Sequence, residues 1–361
     1  MKLNVLILPG DGIGPEVTAE AVRVLTHVAR KFGHEVGQSD GLLGGIAIHR
    51  TGTPLPEDTR RLALEADATL MGAVGLAEFD NAPPDRRPEK GLLGIRQALG
   101  VYANLRPVRA FASLLDSSPL KNHRVEGTDM IIVRELTSGI YYGTPRGISG
   151  DGVEVRAVNT MVYTRTEIER VARVAFELAS RRRRKVTSVD KSNVLENSQL
   201  WRQVVTQVAE AYPGVTLEHM LVDNCAMQLI LNPRQFDVVL TENMFGDILS
   251  DEGAVLAGSI GMLPSASIGA RKPSGAWVGL YEPVHGSAPD IAGQNRANPL
   301  GAIGSVAAML EYSFGLTQEA AAVNGAIEAV LAGGRVTADL RPAGPPATTR
   351  EVGAAVAEAI G

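Results

Sequence analysis

Asp247 and Asp251, in the stretch NMFGDILSDEGAVL, are four residues apart. On a helix this puts both carboxylates on one face with Cβ atoms ~5–6 Å apart, where like charges repel unless something positive sits between them. Apolar Met244, Ile248 and Leu249 flank the pair and predict a helix that is at least partly buried. Asp223, in LEHMLVDNCAM, begins another apolar helix and offers a third oxygen ligand. Three carboxylates with few His or Cys suit Mg²⁺ or Mn²⁺. The same spacing also fits a solvated acidic face with Asp223 as a helix cap. Arg96 in GLLGIRQAL, Arg106 in YANLRPV and Arg134 in DMIIVREL each sit against apolar sequence. Such an arginine must find an anion, and its planar fork suits two-point contact with a carboxylate. Glu135 or Glu89 could serve any one of them from within the chain; three together need a larger anion. Lys191, just after VTSVD, and Tyr141, in SGIYYG, are candidate acid/base groups or else exposed surface positions.

Two glycine-bearing loops could meet a nucleotide. In LNVLILPGDGIGPEV the glycines Gly10, Gly12 and Gly14 are spaced G-x-G-x-G, not the G-x-G-x-x-G of a dinucleotide fingerprint, although Asp40 could pose as the acidic residue ending the next strand. A tight turn feeding a helix explains that loop as well. Of six scattered histidines, His285 in EPVHGSAPDIAG stands among Gly, Ser and Pro, where backbone amides could cradle a phosphate. The dense basic run at residues 181–185 falls at a helix C-terminus, where cations suit the dipole, so it reads as a solvated helix end.

The elements that must position these residues alternate along the chain as an α/β protein with a largely parallel sheet. Strands are expected at residues 3–8, 68–74, 130–133, 186–189, 215–221 and 236–240, and helices at 15–32, 168–180 and 349–360. Residues 139–163 are glycine-rich and end in the alternating VEVRAV of 153–158, which suggests a β-ribbon acting as a dimer arm. Residues 333–346 read as a loop. The 361-residue length argues for about two domains at roughly 100–200 residues each. A net charge of −5 speaks against nucleic acid or an anionic membrane as main partner. The first apolar stretch is too short for a signal peptide, and the single Cys225 forbids an internal disulfide, so a cytoplasmic setting without thiol chemistry is expected.

Taken together, LPGDGIGPEV, RPEKGLLGIR, YANLRPV, IVRELTSGIYYG, SVDKSNVLE, NMFGDILSDE, LPSASIG and EPVHGSAPDIAGQNRANP resemble, in order along nearly the whole chain, the β-decarboxylating isocitrate/isopropylmalate dehydrogenase family. The resemblance implies a two-domain α/β fold with a mixed, largely parallel sheet and a projecting β-arm, distinct from a Rossmann fold. It implies a nucleotide-binding domain over 1–101 plus 254–361 and a substrate and dimerisation domain over 102–253. It implies NAD held by His285, Gly286, Ser287 and Ala288, with Asn298, Glu282 and Ile13 nearby and Asp290 on the ribose, where a carboxylate repels a 2′-phosphate.

By the same resemblance Arg96, Arg106 and Arg134 grip a malate-type dicarboxylate. Asp247 and Asp251, with Asp223 of a second subunit, hold Mg²⁺ or Mn²⁺. Lys191, also of that subunit, takes the hydroxyl proton, and Tyr141 protonates C3 after CO₂ leaves. The charges of three carboxylates and a dicarboxylate balance those of a divalent cation and three arginines, so Lys191 can stay neutral, as a base must. Glu89 and Leu92, with Leu93, replace the polar residues that receive a third carboxylate in isocitrate enzymes, so an alkyl 3-substituent is expected. The expected reaction is NAD-dependent oxidative decarboxylation of (2R,3S)-3-isopropylmalate to 4-methyl-2-oxopentanoate in leucine biosynthesis, by a homodimer. The alternatives are tartrate, homoisocitrate or a bulkier 3-alkylmalate, or a catalytically silent ligand-binding relative. Residues 76–79, Leu-Ala-Glu-Phe, depart from the family pattern close to the cofactor, and Glu242 and Gly301 depart from it more mildly.

Overall fold

The computed structural model describes residues 1–256 and 258–361. Its strands are β1 (Lys2–Gly10), β2 (Glu35–Asp40), β3 (Ala68–Ala73), β4 (Ala103–Arg109), β5 (Asp129–Glu135), β6 (Gly147–Ser149), β7 (Arg156–Val158), β8 (Lys185–Asp190), β9 (Thr216–Leu221), β10 (Val238–Thr241), β11 (Pro264–Arg271) and β12 (Trp277–Pro283). The helices are α1 (Gly14–Lys31), α2 (Gly45–Thr51), α3 (Glu57–Glu65), α4 (Pro88–Leu99), α5 (Asn122–Val125), α6 (Arg165–Ser180), α7 (Glu196–Ala209), α8 (Val222–Leu231), α9 (Asn243–Leu256), α10 (Leu300–Phe314), α11 (Thr317–Ala332) and α12 (Thr349–Ile360).

Two compact units divide the chain. One comprises Met1–Val101, Phe111–Pro119 and Ala257–Gly361. Its strands run in the order β2-β1-β3-β12-β11, all parallel except β11, which pairs antiparallel with β12. The six residues of β3 are all buried, as the continuous apolar run of a strand covered on both faces requires. Helices α1, α10, α11 and α12 pack on one another in this unit. Helix α1 opens with proline in its first turn and buries Val17, Ala21, Val24, Leu25 and Val28 along one stripe.

The other unit comprises Tyr102–Ala110 and Leu120–Leu256. Its strand order is β4-β5-β10-β8-β9, with β4 antiparallel to β5 and the rest parallel. The C-terminal ends of β5, β10, β8 and β9 therefore share one edge of the sheet, the edge where α/β proteins bind ligands. Helix α6 is longer than the expected 168–180. A capping box in which Thr164 accepts from the Glu167 amide and Glu167 receives the Thr164 amide starts it at Arg165.

The ribbon is shorter than expected. Only Arg156–Val158 is strand, paired antiparallel with Gly147–Ser149, while Gly152–Glu154 forms a 3₁₀ turn. Every residue of both short strands is exposed, so no buried face enforces the alternation that VEVRAV suggests. Among the described residues no helix is long and apolar enough to cross a membrane. Cys225 is buried, and burial pushes its thiol up to about 12. The expected result is that a thiol reagent leaves the native protein unlabelled and modifies one cysteine only once denaturant is added.

Candidate active site

Antiparallel pairing of β4 and β5 sets Asn104 opposite Arg134, with Arg106 two residues further along β4, and both arginines are buried. Thr241 at the end of β10 lies beside Arg134, so α9, which starts two residues later, passes directly over that guanidinium. A Cβ on Gly246 would come within 2.2 Å of Thr241 Oγ1 and 2.8 Å of Arg134 Cβ, so glycine is what lets the helix approach. Arg106 donates from Nε to Asn104 Oδ1 at 2.8 Å and from Nη1 to Ser250 Oγ at 2.6 Å and Asp251 Oδ1 at 3.2 Å. Arg134 donates from Nη1 to Asp247 Oδ1, and from Nε and Nη2 to Asn243 Oδ1 at 3.0 and 2.8 Å. Tyr141 Oη donates to Asp247 Oδ2 at 3.1 Å.

The two helical carboxylates are therefore countered by arginines from neighbouring strands and touched by a phenol, a different arrangement from an acidic face in water. Burial and the Asp247 carboxylate hold the Tyr141 hydroxyl above its ordinary pKa, so it keeps its proton at neutral pH. Burial raises the Asp251 carboxyl, with Arg106 opposing and Asp247 assisting.

Lys191 and Asp223 form a second cluster in the same unit. Parallel pairing of β8 and β9 ends at Asp190 opposite Leu221, so the next residues place Lys191 Nζ 2.9 Å from Asp223 Oδ1. Buried Asp190 takes Arg202 in two-point contact at 2.8 and 2.9 Å and accepts the Ser192 amide, fixing the turn that carries Lys191. The lysine holds the exposed Asp223 carboxyl below its usual range. Among the described residues no three His, Cys, Asp or Glu side chains gather at a single point.

In the other unit the two glycine loops touch. Ile13 donates its amide to Ser287 O at 2.8 Å, and a Cβ on Gly12, whose φ is +57°, would lie 2.0 Å from that same oxygen. Gly12→Ala is thus expected to lower stability by about 2–4 kcal/mol and to raise the KM for the nucleotide, as thermal unfolding and initial rates would show. Buried Asp11 accepts three amides, from Gly45 at 2.7 Å, Ile46 at 2.8 Å and Gly75 at 2.9 Å, tying this loop to α2 and to the loop after β3.

His285 is buried with Nδ1 on Gly286 O at 2.9 Å and Nε2 without a partner, and burial lowers its pKa, leaving a neutral ring with one open hydrogen-bonding position. Arg96 pairs with Glu282 at 2.5 Å, and its buried Nε has no partner. Buried nitrogens without partners are rare in folded proteins and fit groups that a ligand supplies. Asp290, five residues after His285, is exposed. Asn298 is already engaged, donating to Asp339 Oδ2 at 2.9 Å and accepting from the Leu300 amide at 3.0 Å.

The sequence model of the isocitrate/isopropylmalate dehydrogenases matches residues 4–356. The chain belongs to this family. It is 60% identical over 341 residues to a 3-isopropylmalate dehydrogenase of Geobacillus kaustophilus, covering 94% of this chain and 91% of that one. It is 55% identical over 339 residues to the 3-isopropylmalate dehydrogenase of Aquifex aeolicus, covering 94% and 92%. Among solved structures, isocitrate dehydrogenase from Methylococcus capsulatus is similar with a TM-score of 0.86 and 33% identity over 99% of both chains. A β-decarboxylating dehydrogenase from Thermococcus kodakarensis has a TM-score of 0.80 and 36% identity, covering 99% of this chain and 96% of that one.

Within this family fold, the residues singled out from sequence fall into separate groups. Arg106, Arg134, Asp247, Asp251 and Tyr141 touch one another; Lys191 touches Asp223; Arg96 touches Glu282. Leu92 packs against the core cluster of Leu6, Leu8, Leu43, Met71, Ile95 and Leu280, so it supports the sheet. A Cβ on Gly75 would lie 3.4 Å from both Glu89 Oε1 and Ser287 Oγ, which puts both side chains beside the same point of this loop. The departing residues after it are docked on α2: Leu76 lies over Gly45, and His49 meets Glu78 at 2.8 Å and the Phe79 ring at 5.4 Å. Gly301 is explained by close approach, since a Cβ there would be 2.9 Å from the carbonyls of Gly261 and Leu263. Sequence reasoning missed Asn243, Asp11 and Asp339. Their one visible signal is a polar residue beside a motif, which local spacing does not interpret.

Proposed function

We propose that the protein catalyses the NAD⁺-dependent oxidative decarboxylation of 3-isopropylmalate to 4-methyl-2-oxopentanoate and CO₂, in leucine biosynthesis and in the cytoplasm. The observation that carries this reading is the cluster of two buried arginines, two carboxylates one helical turn apart and a protonated tyrosine, in a chain of this family with relatives of that name. Arg96, Arg106 and Arg134 bind the two carboxylates of the malate. Lys191 takes the C2 hydroxyl proton as hydride leaves C2, and the ketone so formed makes the carboxylate on C3 that of a β-keto acid, which loses CO₂. Tyr141 then delivers a proton to C3. When bound, NAD⁺ accepts the hydride and a divalent cation supplies positive charge at the reacting oxygens.

Asp247 and Asp251 are the oxygen donors that Mg²⁺ or Mn²⁺ prefers, and Asp223 is the third. Asp223 and Lys191 form their own cluster in this chain, which supports their acting in the site of a second copy. Exposed Met227, Ile230 and Leu231 on α8, with Ile248 and Val255 on α9 and Val153 in the ribbon, supply the apolar surface a partner would cover. His285, Gly286, Ser287, Ala288 and Ile13 hold the nucleotide, with Asp290 on its ribose and Asn298 supporting the loop. Glu89 and Leu92 line the 3-substituent, where leucine offers nothing to a third carboxylate. Purified protein with 3-isopropylmalate, NAD⁺ and Mg²⁺ should form NADH and CO₂ in equal amounts and sediment as a dimer. No NADH would overturn the activity, and a fully active monomer would overturn the shared site.

A further inference from the structure

The first residue of α9, Asn243, is buried, and the site reading gives it no role. Its side chain has two ends with opposite demands. Oδ1 accepts from Arg134 Nε and Nη2 at 3.0 and 2.8 Å, while Nδ2 donates to Ser138 O at 3.0 Å. Arginine can only donate and a carbonyl can only accept, so the amide has one possible orientation. Its backbone amide donates to Tyr163 Oη at 2.9 Å, and that hydroxyl donates in turn to Glu242 Oε2 at 3.2 Å. Burial beside Glu242 raises the Tyr163 pKa and keeps its proton in place, so this chain also runs in one direction. Glu242 itself receives the amides of Phe245 at 2.5 Å and Met244 at 3.1 Å, anchoring the first turn of α9.

The far end of the Asn243 amide holds the loop that carries Tyr141. That loop leaves β5 at Glu135, whose buried carboxylate accepts the amides of Thr137 at 3.0 Å and Ser138 at 2.9 Å. Ser138 Oγ donates to Glu167 at 2.5 Å, and the Gly139 amide donates to Val162 O at 3.1 Å. Three residues after Ser138, Tyr141 reaches Asp247, which also receives Arg134. Asn243 therefore joins the arginine and the tyrosine loop through a single rigid amide.

We infer that Asn243 is a positioning residue that sets the substrate-gripping Arg134 and the proton-donating Tyr141 loop in one mutual geometry. The inference rests on the roles proposed above for Arg134 and Tyr141. Asn243→Asp separates its two halves: a carboxylate keeps the guanidinium but turns an oxygen toward Ser138 O, which repels the loop. Asn243→Ala releases both.

In the Asp variant, hydrogen exchange of the 137–142 amides should quicken by about tenfold or more. Its kcat on 3-isopropylmalate should fall by about tenfold or more, with the KM for that substrate within about threefold. In the Ala variant kcat should fall similarly and KM should also rise by about tenfold. A folded Asp variant with exchange and kcat within about twofold of native overturns the inference, as does an Ala variant with KM no higher than the Asp variant. Should neither variant fold, Tyr163→Phe, which removes only the hydroxyl beneath the Asn243 amide, should lower kcat/KM at least about threefold; no change overturns the inference. Native protein inactive on 3-isopropylmalate refutes the substrate reading instead, and the exchange measurement still decides the role of Asn243.

Discussion

Lys191→Met should cut turnover by about 10²–10⁴-fold, the usual contribution of a positioned general acid or base. The thermal midpoint should not move. Lys191 contacts Asp223, whose side chain is 60% exposed, and an ion pair so open to water stabilises the fold very little. The turn beneath it is held by other residues: Asp190 is buried on Arg202, and the amides of Val194 and Leu195 donate to the Lys191 carbonyl. Methionine keeps the length and apolar stem of the lysine and loses the amine. Steady-state kcat together with a melting curve reads both parts. Activity within about tenfold of native would take the proton-abstracting role away from Lys191.

Arg134→Lys should lower kcat/KM for the dicarboxylate by about 10²–10³-fold while changing the KM for NAD⁺ little, because an ammonium cannot reproduce two-point contact. Lysine is the informative replacement. Alanine would leave Asn243 Oδ1 and Asp247 facing the hole of a buried cation and would cost about 3–5 kcal/mol, mixing a folding defect with a binding one. The two variants also test how the site is shared. If Lys191 of one copy serves Arg134 of another, mixing Lys191→Met and Arg134→Lys subunits creates heterodimers in which one of two sites is fully native. Random re-pairing should then recover about a quarter of native activity from two nearly inactive preparations. No recovery after verified subunit exchange would place both residues in the site of a single chain.

Much of this arrangement is visible in the residues before any coordinates. The buried runs of β3 and β10 announce themselves as continuous apolar stretches, and the four-residue spacing of Asp247 and Asp251 survives intact on α9 because helical periodicity is local. Contacts between distant segments are another matter. Nothing near Arg96 reveals that Glu282, 186 residues later, closes on it, and no spacing shows that Gly12 is a glycine because the Ser287 carbonyl lies against it. Leu92 looks like a ligand-facing residue in the chain but also packs on the core of its unit. The ribbon misleads for a related reason: alternation in VEVRAV means a strand only where one face is buried, and there it is not. Asn243 was illegible because its role depends on two segments, around Arg134 and Ser138, that reach it only through the pairing of β5 with β10.

The most direct measurement is kcat/KM with NAD⁺ and Mg²⁺ across a panel of 3-isopropylmalate, isocitrate, homoisocitrate, tartrate and a bulkier 3-alkylmalate. The expected outcome is the highest value with 3-isopropylmalate and a loss of about 10²-fold or more with isocitrate, whose third carboxylate would have to be buried against Leu92. A preference for isocitrate, homoisocitrate or tartrate over 3-isopropylmalate would contradict the assignment.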